Sequence, residues 1–227
     1  MLMEVAADAA AVEHYNQALA IAKTLKYANT KDDALTQIAI KYAEAGQYNQ
    51  ALGLAKTIDR DGCQKKAQVL TEVAVKYAQA GQPGQALQIA QSIEGLGPTN
   101  AKGMMEDCRY MKADALVKVA AKDAEVGQYD QALVVVKTIE ENWSDRKADA
   151  LVQIVKKAAQ AERKDKALEI LAQALQVAQT LKENDAKASA LAAIASQYAQ
   201  VGQKNKALEI LAEALEIAQS VHILRLG

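Results

Sequence analysis

A segment of 21 residues returns along this chain, and its spacing leaves few folds open. The run IAIKYAEAGQYNQALGLAKTI at 38–58 comes back as VAVKYAQAGQPGQALQIAQSI at 73–93, as VAAKDAEVGQYDQALVVVKTI at 119–139 and as IASQYAQVGQKNKALEILAEA at 194–214. A degenerate copy, IVKKAAQAERKDKALEILAQA, begins at Ile154, and Val5 to Ala22 aligns as a truncated copy at the start. The first position of the central Gly-Gln pair falls at Glu13, Gly46, Gly81, Gly127, Glu162 and Gly202, in steps of 33, 35, 46, 35 and 40 residues. Units of this size cannot bury a hydrophobic face alone. They stack, each sealing the next.

Each half of the unit reads as an amphipathic helix. In the second copy the first helix carries Leu35, Ile38, Ala39 and Tyr42 on one stripe, and the second carries Ala51, Leu52, Ala55 and Ile58. Gly46 between them is the residue best able to take the left-handed conformation that ends a helix. Pro83 stands at the start of the second helix in the third copy, where a missing N–H costs nothing. Composition agrees. Hydrophobic residues make up 51% of the chain, yet there is no Phe and one Trp, so Ala, Leu, Ile and Val must build the core. Ala allows close helix approach, and Ala, Leu, Gln, Lys and Glu lead the helix-propensity scale. With only two prolines, little interrupts the helices.

The other signals are mostly negative. The 27 basic and 28 acidic residues are interspersed, without the basic stripe that a nucleic-acid backbone requires. No run approaches the ~20 apolar residues of a membrane span. The opening MLMEVAADAAA carries no basic leader, so the reading is no signal peptide and cytoplasmic residence. Cys63 and Cys108 are read as free thiols of a reducing compartment, although each precedes the first helix of consecutive copies and the two could approach in space. His14 and His222 lie near opposite ends without acidic or cysteine partners at ligand spacing, so neither a metal nor a cofactor is expected. His14 reads as a solvated turn residue and Trp143 as a local packing anchor. Nothing assembles the nucleophile, base and oxyanion donors of an enzyme. The stretch GLGPTNAKGMM at 95–105 reads as an insertion, a surface excursion or a longer connection.

Six of the eight tyrosines occupy two positions of the copy: Tyr42, Tyr77 and Tyr198 at one, Tyr15, Tyr48 and Tyr129 at the other. With the small residue at Ala39, the turn at Gly46 and Ala51 after it, this pattern resembles the tetratricopeptide repeat over about residues 3 to 220. It departs in having Ala or Val155 for the family's Gly, no terminal Pro, and Ala55, Ala90, Val136, Leu171 and Leu211 for the late aromatic. The resemblance implies an all-α, right-handed α-solenoid of about six helix-turn-helix repeats, one domain over 1–227, with repeats near 3–28, 31–60, 64–95, 111–142, 146–183 and 186–222.

In that family the first helix of each pair, helix A, lines the concave face. By register the partner-binding residues would be Asp33, Thr36, Ile40 and Glu44, then Thr71, Val75 and Gln79, then Asp114, Val117 and Ala121, then Val152 and Lys156, and finally Ser196. Equivalent alanines at 43, 78, 124, 159 and 199 would either join them or pack against the neighbouring helix A. The set lacks the basic clamp with which family members hold a terminal carboxylate. It suits a helical or extended apolar segment of a protein or peptide. The implied function is therefore a non-enzymatic protein-interaction scaffold without cofactor, nucleic-acid or membrane partner. Alternatives are a structural unit that self-assembles through its terminal repeats, or a sensor piece of a larger signalling protein. A more charged last helix, with Glu213 and Glu216 where its forerunner has Gln173 and Gln176, fits an end with no helix to follow.

Overall fold

The computed structural model describes residues 14–58, 63–93, 102–160 and 164–226. Eleven α-helices and one short 3-10 turn account for most of them, and no strand occurs among the described residues. In chain order they are α1 (Tyr15–Lys23), α2 (Ala28–Glu44), α3 (Tyr48–Ala55), α4 (Cys63–Gln79), α5 (Pro83–Gln91), α6 (Lys102–Glu125), α7 (Tyr129–Thr138), α8 (Ser144–Gln160), α9 (Lys164–Gln179), α10 (Asn184–Gln200) and α11 (Lys204–Leu226). The 3-10 turn Glu141–Trp143 precedes α8. Even-numbered helices are the A helices of the repeats and odd-numbered ones the B helices. The A helix read for the first repeat, over its first 13 residues, lies outside the described residues.

The turn between A and B is the same in four repeats. Gly46, Gly81, Gly127 and Gly202 have φ of 75°, 72°, 80° and 86°. Around each, two backbone bonds close the end of the A helix. The Gln47 N–H donates to the Tyr42 carbonyl at 2.8 Å and the Gly46 N–H to the Ala43 carbonyl at 3.1 Å. The pairs Gln82–Tyr77 and Gly81–Ala78, Gln128–Asp123 and Gly127–Ala124, and Gln203–Tyr198 and Gly202–Ala199 repeat it. These are the two bonds of a Schellman motif. They satisfy carbonyls that the helix leaves open, and the positive φ is why Gly recurs there. The carbonyl of Gln47 then accepts from the Ala51 N–H and starts the B helix, so one dipeptide both stops a helix and begins the next.

Contacts divide the chain into two compact units, Met1–Ala115 and Leu116–Gly227, with the boundary inside α6. In the first unit α1 packs on α2, α2 on α3 and α4, and α4 on α3 and α5. In the second, α8 packs on α7, α9 and α10, α10 on α9 and α11, and α7 touches α9. Each unit thus sets A helices beside A helices, with B helices as a second layer. The A–A seams are lined with alanine: Ala34, Ala39, Ala43, Ala74 and Ala78 in the first unit, and Ala150, Ala158, Ala190 and Ala195 in the second, are all nearly or fully buried. Ile38, Ile154, Leu191 and Ile194, fully buried, fill the space between the layers.

Polar ties follow the same step. The first tyrosine of a B helix lies against the next A helix. Tyr15 stacks on Tyr42 with ring centroids 4.0 Å apart, and Tyr48 meets Tyr77 at 4.4 Å. The Tyr15 hydroxyl donates to the Lys41 carbonyl at 3.5 Å, and the equivalent Tyr129 hydroxyl to the Lys157 carbonyl at 3.3 Å. Lys65 of α4 lies 2.8 Å from Asp33 of α2. Lys166 of α9 lies 2.9 Å from Asp130 of α7, and Gln173 donates to the same carboxylate at 3.2 Å. The Lys166 ammonium holds the Asp130 carboxyl below the usual carboxylate range.

Two expectations are corrected. Cys108 is buried and disulfide-bonded, so it is not a free thiol. The sequence holds one other cysteine, at position 63. Register could not decide this, because the insertion between repeats three and four shifts their relative spacing. The ground for placing the chain in a reducing compartment goes with it. The insertion, too, is only partly a connection: from Lys102 it is already helix, which makes α6 24 residues long against 17 for α2, α4, α8 and α10. The lengthened B helices near the end of the chain are present, α9 having 16 residues against 9 in α5.

Candidate functional site

Stacking of A helices exposes one edge of each, and the residues read as partner-binding divide into three groups there. Ile40 on α2 and Val75 on α4 stand half-buried on two helices that pack side by side, as does Val152 on α8. These are apolar side chains with part of their surface in water. Ala121 is half-buried, and Gln79, Lys156 and Ser196 are exposed.

A second group is polar and already engaged within the fold. Asp33 holds Lys65, and the exposed Glu44 pairs with Lys41 at 2.7 Å. That pairing raises the Lys41 ammonium above its usual range, through the hydrogen bond and charge of Glu44. The half-buried Thr71 donates its hydroxyl to the Ala67 carbonyl at 2.7 Å. Asp114 is half-buried and takes part in a polar interaction of its own.

The third group is buried. Thr36 is 2% exposed and donates to the Asp32 carbonyl at 2.7 Å, and Val117 is 8% exposed. Neither presents a surface to a partner. Their burial is a detail set by packing that the repeat register does not carry. Of the alanines, Ala43, Ala78 and Ala124 are buried against neighbours, whereas Ala159 is half-exposed and Ala199 exposed.

Ala199 differs because it opens onto a groove that sequence reasoning missed. Ala192, Ser196 and Ala199 of α10 and Ala207, Leu208 and Leu211 of α11 line about 420 Å³ there. The preceding repeat explains its shape. Helices α9 and α11 share the heptapeptide KALEILA, at 166–172 and 206–212. In α9 the helix α10 packs alongside, and Leu171 is 0% exposed; its counterpart Leu211 is 40% exposed. The groove is therefore the seat that an A helix occupies elsewhere in the unit.

A second groove, of about 620 Å³, lies on the B side of the first unit, over α4 and between α3 and α5. Leu52, Leu70 and Ile89 supply apolar walls, and Lys56 and Lys66 stand on its lining. The late B-helix position in its lining is Ala55, which is buried and short and leaves the space open. In the second unit Val136 and Leu171 fill that position and are fully buried. The composition signal was visible as a departure from the tetratricopeptide pattern, but its consequence needed the packing.

One titratable group sits oddly. Asp123 occupies the position of Tyr42, Tyr77 and Tyr198, is 0% exposed, and neither carboxylate oxygen has a hydrogen-bond partner. Burial pushes its carboxyl up to about 6. An ionised carboxylate without a partner is costly to bury. The folded protein binds this proton more tightly than the unfolded chain does. The stability it gives is complete below about pH 4 and is lost as pH rises through 6. We expect Asp123→Ala to be more stable than the parent by about 2 kcal/mol at pH 8, and the gap to shrink to a few tenths by pH 4. Urea midpoints at several pH values test this. A gap that does not move with pH would mean the carboxylate is solvated.

No protein-family model matches this sequence, and no curated protein matches it. Solved structures do. MamA AMB-1 is similar over 82% of this chain and 98% of its own, at 19% identity and a TM-score of 0.32. A Podosopora anserina kinesin light chain with nearly identical TPR-like repeats is similar over 87% of this chain and 99% of its own, at 15% identity and a TM-score of 0.37. Ton1535 from Thermococcus onnurineus NA1 covers 95% and 89%, at 18% identity and a TM-score of 0.33. The helix pairs and their glycine turns make the described residues an all-α array of helix-turn-helix repeats. Among the described residues no group of His, Cys, Asp and Glu is arranged to hold a metal ion, and no helix is long and apolar enough to cross a membrane.

Proposed function

We propose that the chain is a non-enzymatic protein-interaction scaffold whose A helices take a helical or extended apolar segment of a partner. The observation that carries this reading is the pair Ile40 and Val75. They are half-buried apolar side chains on adjacent packed helices, bordered by Gln79 and by the self-paired Glu44. A partner would gain by covering their exposed area, at about 25 cal/mol per Å². The polar border would set its direction rather than its affinity. Val152 offers the same chemistry on the A side of the second unit.

Ile40→Glu with Val75→Glu is expected to abolish capture of a partner from native extract while leaving the helical circular-dichroism signal unchanged. Retained capture of the same partner by this double variant would remove the reading. Val117 is unsuited to such a test because it is buried, so Glu there would unfold rather than unbind. Self-association is the second reading, and the exposed leucines of α11 favour it.

A further inference from the structure

Two exposed apolar surfaces on this chain have similar lengths, and each carries charge at its edge, lysine on one and glutamate on the other. The first is the B-side groove of the first unit. Its apolar walls run along α3, a helix of 8 residues and hence about 12 Å, with Leu52, Leu70 and Ile89 facing the opening. Lys56, at the end of α3, and Lys66, in the first turn of α4, are its only charged lining residues, and neither has a carboxylate partner among the described residues. The second is the outer face of α11. Leu208, Leu211 and Leu215 are 66%, 40% and 54% exposed. Their spacing of i, i+3 and i+7 puts them on one stripe about 10 Å long. Glu209 and Glu216 lie along one flank of that stripe, both exposed, and Glu209 is held 3.0 Å from Lys206 in a solvent-exposed pair that a second cation can share.

We propose that the groove takes helix α11 of a second copy of this chain. The three leucines would fill the space over Leu70 and Ile89 that Ala55 leaves open. Glu209 and Glu216 would meet Lys56 and Lys66. This is helix-in-groove docking, with apolar anchors for affinity and charges at the rim for register. The two faces differ, so the contact is heterologous: a pair of copies keeps one groove and one stripe free, and further copies add or the ring closes. Besides B-helix surfaces the contact uses Lys66 and Leu70 of α4, but it includes neither Ile40 nor Val75 of the partner strip.

The test uses full-length chains by size exclusion with light scattering. The parent mass is expected to rise with concentration above that of a monomer. One variant, Lys56→Glu with Lys66→Glu, spoils the groove and keeps the stripe. The other, Leu208→Glu with Leu215→Glu, spoils the stripe and keeps the groove. Each alone is expected to weaken association by about tenfold or more. Mixed in equal amounts they should form a one-to-one pair and nothing larger, since only one intact groove and one intact stripe remain. All four substituted positions are at least partly exposed, and unchanged circular dichroism verifies folding. Glu209→Lys with Glu216→Lys should restore binding to the lysine-reversed groove, which keeps the test open even if the leucine variant fails to fold. A parent that stays monomeric at high concentration overturns the proposal. So does a groove variant that still self-associates like the parent, the outcome of a stripe-to-stripe contact.

Discussion

Alanine at position 171 should cost the chain about 3 kcal/mol and alanine at position 211 about 1 kcal/mol or less, although both leucines stand in the same heptapeptide. Leu171 is fully buried where α10 packs against α9. Removing it loses the transfer energy of the side chain and leaves a cavity that Ile170, Ala174 and the facing helix can only partly close. Leu211 keeps 40% of its surface in water, so its removal loses less area and opens no void. Urea midpoints measured in dilute solution, where self-association does not contribute, provide the comparison. Equal effects would mean that α10 does not cover α9 as described, and the stacking of repeats five and six would have to be redrawn.

Reduction is expected to be the other large effect. Cys108 is disulfide-bonded, and position 63 holds the only other cysteine. A bond between them closes a loop of roughly 45 residues that contains all of α5 and most of α4. By loop entropy such a bond stabilises by about 4 kcal/mol. Such a bond would link the first residue of α4 to the seventh of α6 across the insertion, where the repeat step stretches to 46 residues and regular stacking has the least to work with. A thiol reductant would cleave it, two reductant thiols becoming one disulfide as the two cysteines gain hydrogen. The unfolding midpoint should then fall sharply, with the loss confined to the transition of the first unit. Two titratable thiols in the native, unreduced protein would sink this expectation. An unchanged midpoint on reduction would show that the loop is held by packing instead.

The helix pairs, their order and their turns were readable from residues alone, and the reason is that their signals are local. A period of 3.6 residues marks a helix face wherever it occurs. Gly46, Gly81, Gly127 and Gly202 mark left-handed turns because a Cβ there would be strained, whatever the rest of the chain does. The candidate strip was less legible. Register placed Ile40, Val75 and Val152 on a partly open edge, but it also offered Thr36 and Val117, which are buried.

Tertiary structure decided what depends on a neighbour. KALEILA is written twice, and its leucine is core in α9 and surface in α11, since burial belongs to the pair of helices and not to either one. Ala55 looks like an ordinary small residue until the B helices are placed; only then does it leave a groove. Asp123 looks like a polar substitution for tyrosine until packing removes every hydrogen-bond partner from it. The bond at Cys108 required two points far apart in sequence to meet across an insertion. The sequence by itself determined the repeating element and its period, because backbone preference acts within a few residues. Which faces are sealed, strained or left open was decided by contact between elements, because solvent is excluded by shape in three dimensions.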